Sequence, residues 1–241
     1  MQRILKIVLA VFLIVALTLI LVAGYYGFVP GISTVMRTNK PRNLGITYTE
    51  QDRLNGRAKI GWQLQELPPS TPPEQSLIYS GQKDVTATFT SQELTVWINK
   101  KWKYIPITDA QIRVNQDSTV EMSGILHTDR IKTYAMIMQA PAEFDDILRN
   151  YGRFLMGNIP IYLKTEAVIK DNTAQIKLYE FQLGRYSISP YLLAQNTGLF
   201  ARAAEWQISS IPGVNIQSLT FQNGSASFAG TLPAVISRVI Q

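Results

Sequence analysis

Residues 161–231 constrain the fold more than any other stretch, because they read as one unit: two long strands, an unusually apolar helix, then another hairpin. Ile161, Leu163, Ala167 and Ile169 alternate with Lys164, Glu166 and Lys170, the signature of a half-buried strand. Asp171-Asn172 supplies a two-residue turn into a second strand over 173–183, where the apolar face changes parity near Leu178 and predicts a bulge. Strands this long twist and curl around something. The following segment fits that role: Ser189 is placed as an N-cap, Pro190 takes the first helical position, and 191–208 is apolar around most of its circumference. Only Gln195, Arg202, Glu205 and Ser209 form a polar stripe, so the helix needs cover on several sides. Gly198 within it marks close packing or a kink. Pro212-Gly213 ends the run, and Asn223-Gly224 marks a type I′ hairpin after a strand over 214–221.

At the other end of the chain, residues 7–23 carry no charge and span roughly 26 Å as a helix, close to one bilayer core. A cleaved signal peptide is the competing reading, but the apolar run is long for one and no A-x-A site follows it. The expected organisation is a cytoplasmic tail (1–6), a transmembrane anchor (7–23), a basic juxtamembrane stem with a proline-rich linker (24–74) and an extracytoplasmic α+β domain (75–241). Positive charges flank the span almost evenly, and long domains translocate with little regard to them, so a single-pass protein of the cell membrane with its domain outside the cytoplasm is expected. The absence of cysteine rules out a lipoprotein anchor.

The net charge of +6 invites a nucleic-acid reading, which its distribution opposes. From Gly61 onward basic and acidic residues are equal in number; the excess lies in Arg3 and Lys6 and in Arg37, Lys40, Arg42, Arg53, Arg57 and Lys59, against Glu50 and Asp52 alone. Such a collar suits anionic lipid headgroups or an anionic polymer, with Arg37, Lys40 and Arg42 as the contacts; a solvated stem is the plain alternative. No nucleic-acid partner is expected. A short helix within the collar begins at Thr47 or Thr49, and the prolines of 67–73 either hold the stem off the domain or let it pack back.

The domain opens with a strand over 85–89 and a capping box, Thr90 to Glu93, that starts a helix with Leu94, Trp97 and Ile98 on one face. Residues 110–115, 120–126 and 130–138 read as an antiparallel meander. Beyond Pro141 a second helix places Phe144, Ile147, Leu148, Tyr151, Phe154 and Leu155 at helical spacing. The fold class is α+β: an N-terminal transmembrane helix, then a long curved antiparallel sheet wrapped against two amphipathic or apolar helices.

Candidate catalytic groups are few. His127, the only histidine, has no nucleophile motif nearby, and Asp145 and Asp146 suit the dipole of the helix they begin. There is no metal-ligand spacing, phosphate loop or G-x-S-x-G, so neither catalysis nor a cofactor is expected. The tryptophans Trp62, Trp97, Trp102 and Trp206 are read as core or interface residues before ligand stackers.

The segments Val120-Glu-Met-Ser-Gly124, 160–184, Ser189-Pro-Tyr-Leu-Leu193, Ile211-Pro-Gly-Val214 and 214–230 together resemble the YpmS-like and LmeA-like groups of bacterial membrane-anchored proteins. The resemblance implies an N-terminal membrane segment and, through similarity to TULIP-type lipid carriers, a curved sheet around a helix with phospholipid bound in the cell envelope. The proline-rich linker and the basic stem depart from that pattern. Residue reading and resemblance converge on a lipid or other amphiphile held by Phe144, Ile147, Leu148, Tyr151, Leu155, Leu192, Leu199, Phe200 and Trp206. The alternative is an envelope scaffold with a filled core that meets a protein partner.

Overall fold

In the computed structural model of the protein the described residues are 2–99, 102–144, 146 and 157–240, with side chains described from residue 11 onward except at 30. In chain order the helices are α1 (Gln2–Tyr25), α2 (Pro30–Val35), α3 (Glu50–Ile60), α4 (Ser91–Ile98), α5 (Thr128–Ile137) and α6 (Pro190–Ser209). The strands are β1 (Gln63–Leu67), β2 (Leu77–Ser80), β3 (Lys83–Thr90), β4 (Ile107–Val114), β5 (Thr119–His127), β6 (Asn158–Lys170), β7 (Thr173–Leu183), β8 (Tyr186–Ser187), β9 (Asn215–Gln222), β10 (Ser225–Leu232) and β11 (Val235–Val239).

β6 is the axis of the larger sheet. It pairs with β7 along one edge; along the other it meets β5 as far as Glu166 and then β9 at Val168, Ile169 and Lys170. Because one strand serves two partners in succession, the sheet in the order β3-β10-β9-β6-β5-β4 curls into an antiparallel half-barrel. Asp171 and Asn172 turn the long hairpin at φ of 48° and 62°, the left-handed pair that a type I′ turn requires. Lys164 faces Glu180 and Thr165 faces Leu178, which leaves Tyr179 as the extra residue of the bulge that the parity change predicted.

α6 lies on β7. The Ser189 hydroxyl accepts a hydrogen bond from the Leu192 amide, Phe200 sets its ring edge-on to Phe181 at 5.5 Å, and the Glu205 carboxylate accepts one from the Ala174 amide at 2.9 Å. Only Leu193 and Ile208 of this helix are buried; Tyr191 is 71% exposed.

The stem packs back onto the domain. Thr49 and Asp52 close a reciprocal capping box at the start of α3, Ile60 enters a core with Val85, Phe89, Ile208, Ile216 and Phe228, and β1 pairs in parallel with β11, which pairs in turn with β2. Lys59 fixes α3: its ammonium donates to the Thr88 carbonyl at 2.8 Å and to Glu93 at 2.7 Å. Glu93, 3% exposed, also accepts from the Thr90 amide and caps α4. Glu93→Ala removes a cap and strands Lys59, and is expected to lower stability by about 2 kcal/mol in thermal unfolding, the exposed side of the ion pair adding little.

One element differs from its sequence pattern. Residues 130–138, read as a third strand of the meander, fall almost wholly in helix α5. Arg130, Lys132 and Thr133 mimic alternation, but Ile131, Tyr134, Ala135 and Met138 also share a helical face, and Tyr134 and Met138 turn that face inward against Trp206 and the cavity described below.

α1 forms as a continuous helix whose described side chains, from Val11 through Val22, are largely exposed. Among the described residues no helix is long and apolar enough to cross a membrane. The end of α1 is tightly tied: the Ser33 and Thr38 hydroxyls both donate to the Gly24 carbonyl, at 3.0 and 2.9 Å, and the Arg185 amide beside β8 donates to the Tyr26 carbonyl at 3.0 Å.

Candidate functional site

The face of α4 that carries Leu94, Trp97 and Ile98 does not close against its neighbours. Between it, Ile107 and Ile112 of β4, and Leu77, Tyr79 and Ile236 of the small sheet lies a cavity of about 470 Å3. Trp62 and Trp102 line its sides, Tyr134 and Met138 come from the end of α5, and Gln207, Ile211 and Val214 from the end of α6. The small sheet is what makes it possible: β2 and β11 stand apart from the half-barrel, so side chains on either side meet across a gap instead of interlocking.

Its wall is mainly aliphatic and aromatic. Trp97 packs at 5.6 Å from Trp62 and 4.4 Å from Phe89, and Trp102 at 5.8 Å from Tyr134. The few polar groups are Tyr79, Tyr134, Gln207 and Arg238. The Tyr134 hydroxyl donates to the Gln207 side-chain carbonyl; burial pushes its pKa up to about 12, with that hydrogen bond acting the other way. Burial raises Tyr79 as well, helped by Tyr134 and opposed by Arg238. Both phenols are neutral donors at physiological pH. The ratio of many apolar surfaces to a few convergent polar groups is that of a small-molecule site.

The residues singled out from sequence are distributed differently. Phe144 and Trp206 stack at 5.4 Å, and the Trp206 indole donates to the Met138 carbonyl at 3.1 Å, so this pair backs the cavity wall without lining it. Leu192 is exposed and Leu199 and Phe200 are half-buried along β7, none of them lining the cavity. Ile147, Leu148, Tyr151 and Leu155 lie outside the described residues, as do Asp145 and Phe154. Of the basic collar, Arg37, Lys40 and Arg42 are all exposed, and Arg42 also stacks 4.1 Å over the Tyr162 ring and sits 3.6 Å from Glu180. Trp62, Trp97 and Trp102, read as packing residues, line the cavity. The signal for Trp97 was present in the helical spacing of Leu94, Trp97 and Ile98, whereas nothing comparable marked Trp62 and Trp102, and what that face met was not legible.

Other polar clusters are structural. Glu121 is buried beneath Arg113 at 2.6 Å, Asn115 at 2.9 Å and the Tyr162 hydroxyl at 2.8 Å. Burial alone would raise its pKa, but these three donors together hold it below the ordinary carboxylate value. A depressed folded-state pKa contributes stability above the unfolded value and loses it as pH falls through the folded one. Stability measured by denaturant titration is therefore expected to drop from about pH 4.5 downward, and Glu121→Gln to flatten that dependence while lowering stability at neutral pH. His127 ends β5, its Nε2 2.7 Å from the Thr108 hydroxyl; burial and then Arg130 lower its pKa. Among the described residues no three His, Asp or Glu side chains gather as metal ligands.

No family model matches the chain, and no curated protein and no solved structure matches it.

Proposed function

We propose that the protein is a membrane-anchored, extracytoplasmic, non-enzymatic binder of a lipid or similar amphiphile, held in the cavity between α4, β4 and the small sheet. The single observation that carries this reading is the apolar cavity of about 470 Å3. A methylene fills about the room of a water molecule, about 30 Å3, so the space suits about fifteen of them. At about 0.8 kcal/mol per buried methylene such a chain gains on the order of 12 kcal/mol before the costs of association. A scaffold with a filled core has no use for such a space.

The anchor part of the proposal is supported by the charge-free run of residues 7–23 and by the uncovered apolar side chains of α1 from Val11 to Val22, although the described part of α1 is by itself not long and apolar enough to cross. Tyr25, Tyr186 and Tyr191 are exposed around the point where α1 meets β8, an arrangement suited to the headgroup layer, and Arg37 and Lys40 are exposed nearby in sequence for anionic lipid.

The test is photo-crosslinking in the native membrane. A diazirine-bearing aliphatic amino acid replaces Ile98 in one sample and Tyr191 in another, and the adducts are identified by mass spectrometry. Abundant adducts of one lipid class at position 98, distinct from the mixed bilayer lipids captured at 191, are expected. An unlabelled position 98 in a folded protein refutes the binder and leaves the envelope scaffold.

A further inference from the structure

The apolar cavity has a neighbour of opposite character. A second cavity of about 310 Å3 shares Trp62, Trp97, Ile236 and Arg238 with the first, and its remaining wall brings in Tyr48, Glu50, Arg53 and Arg57 from α3 and the residues just before it. Arg53 is matched by Glu50 at 3.3 Å. Arg57 and Arg238 make no side-chain hydrogen bond or ion pair among the described residues, even though Glu66 stands opposite Arg238 in the β1–β11 register. Asn99, also on this wall, has its amide committed to the Thr95 carbonyl and to both backbone polar groups of Ala110. The chamber therefore holds two guanidinium groups that no carboxylate contacts among the described residues, at the threshold of the apolar cavity.

Resting on the cavity reading above, we propose that the ligand is an anionic amphiphile: its hydrocarbon chain occupies the apolar cavity and its oxyanion headgroup, a carboxylate or phosphate, is held by Arg57 and Arg238. Guanidinium groups present paired donors that match such oxyanions. Arg238 is the hinge of the arrangement because it borders both spaces. Burial depresses its basicity, with Tyr79 and Glu66 acting in the opposite sense but not in contact with it, so the guanidinium donors are open to an oxyanion. Tyr48 lines the same wall.

Three of the four tryptophans line these cavities and α1 contains none, so tryptophan fluorescence reads occupancy directly. The full chain in phosphatidylcholine nanodiscs is titrated with dibrominated stearic acid, a contact quencher, and with its methyl ester, each expressed as its fraction of the bilayer. The acid is expected to quench at least tenfold more effectively than the ester. Arg57→Gln, an exposed substitution on α3 that does not line the apolar cavity, is expected to remove most of that advantage while leaving quenching by the ester unchanged, and Arg238→Gln to remove most of that advantage as well. Equal quenching by acid and ester in the parent protein overturns the headgroup assignment and leaves the apolar cavity standing. No quenching by either probe overturns the cavity reading and this assignment with it. If inorganic phosphate displaces the acid at the same concentration as unbrominated stearate, the arginines serve a free anion and the amphiphile is refuted.

Discussion

Ile98→Trp is expected to weaken lipid retention by about fifteenfold while leaving the fold intact or slightly more stable. Ile98 ends α4 with its side chain in the apolar cavity, so the larger ring takes room that the ligand would use. A tryptophan in place of isoleucine takes about 60 Å3 more, the room of about two methylenes, at about 0.8 kcal/mol each, which corresponds to a loss of about fifteenfold in affinity. The same ring fills empty volume, which raises stability by about 1 kcal/mol where it fits without strain. The measurement pairs thermal unfolding with the photo-crosslinking or quenching readout. Undiminished retention in a folded variant places the ligand elsewhere, and Leu192→Glu, on the exposed start of α6, is the comparison to make: it is expected to leave cavity occupancy unchanged.

The second large effect concerns the joint between α1 and the sheet. Gly184 has φ of 61°, and a Cβ built there would lie 1.8 Å from the Tyr26 carbonyl oxygen. Gly184→Val imposes a left-handed backbone on a β-branched residue and drives it into that carbonyl, at a cost of about 3 kcal/mol. The Arg185 amide, which donates to the same carbonyl, is expected to exchange its hydrogen about a hundredfold faster, while amides at the centre of β5 and β6 keep their protection. Uniform loss of protection would mean that the joint is inseparable from the whole fold.

Much of the fold was legible because it is written in local chemistry. The Asp171-Asn172 and Asn223-Gly224 turns, the Ser189, Thr90 and Thr49 caps and the bulge at Tyr179 each follow from a few adjacent side chains. Residues 130–138 were ambiguous at that level, since the same side chains satisfy a period of two and a helical face, and the partners waiting for Tyr134 decided between them. The cavity was illegible for a different reason. Its wall draws on Trp62, Tyr79, Trp97, Tyr134, Val214 and Ile236, residues from across the chain, and absence of contact leaves no mark on a sequence. The apolar girth of α6 drew attention because it is contiguous; the site formed where separate faces failed to meet.

The pairing of β1 with β11 sets an order of events in biogenesis. Ser237 bonds Gln65 across 172 positions, and the strand that supplies Ile236 and Arg238 to the two cavities is far downstream of the strand it joins. Closing so long a loop is slow and comes late in folding. Only Pro233 and Ala234 separate β11 from β10, which lies between β3 and β9, so the half-barrel and the small sheet are completed together, and the flank of the cavity that β11 lines is the last to form.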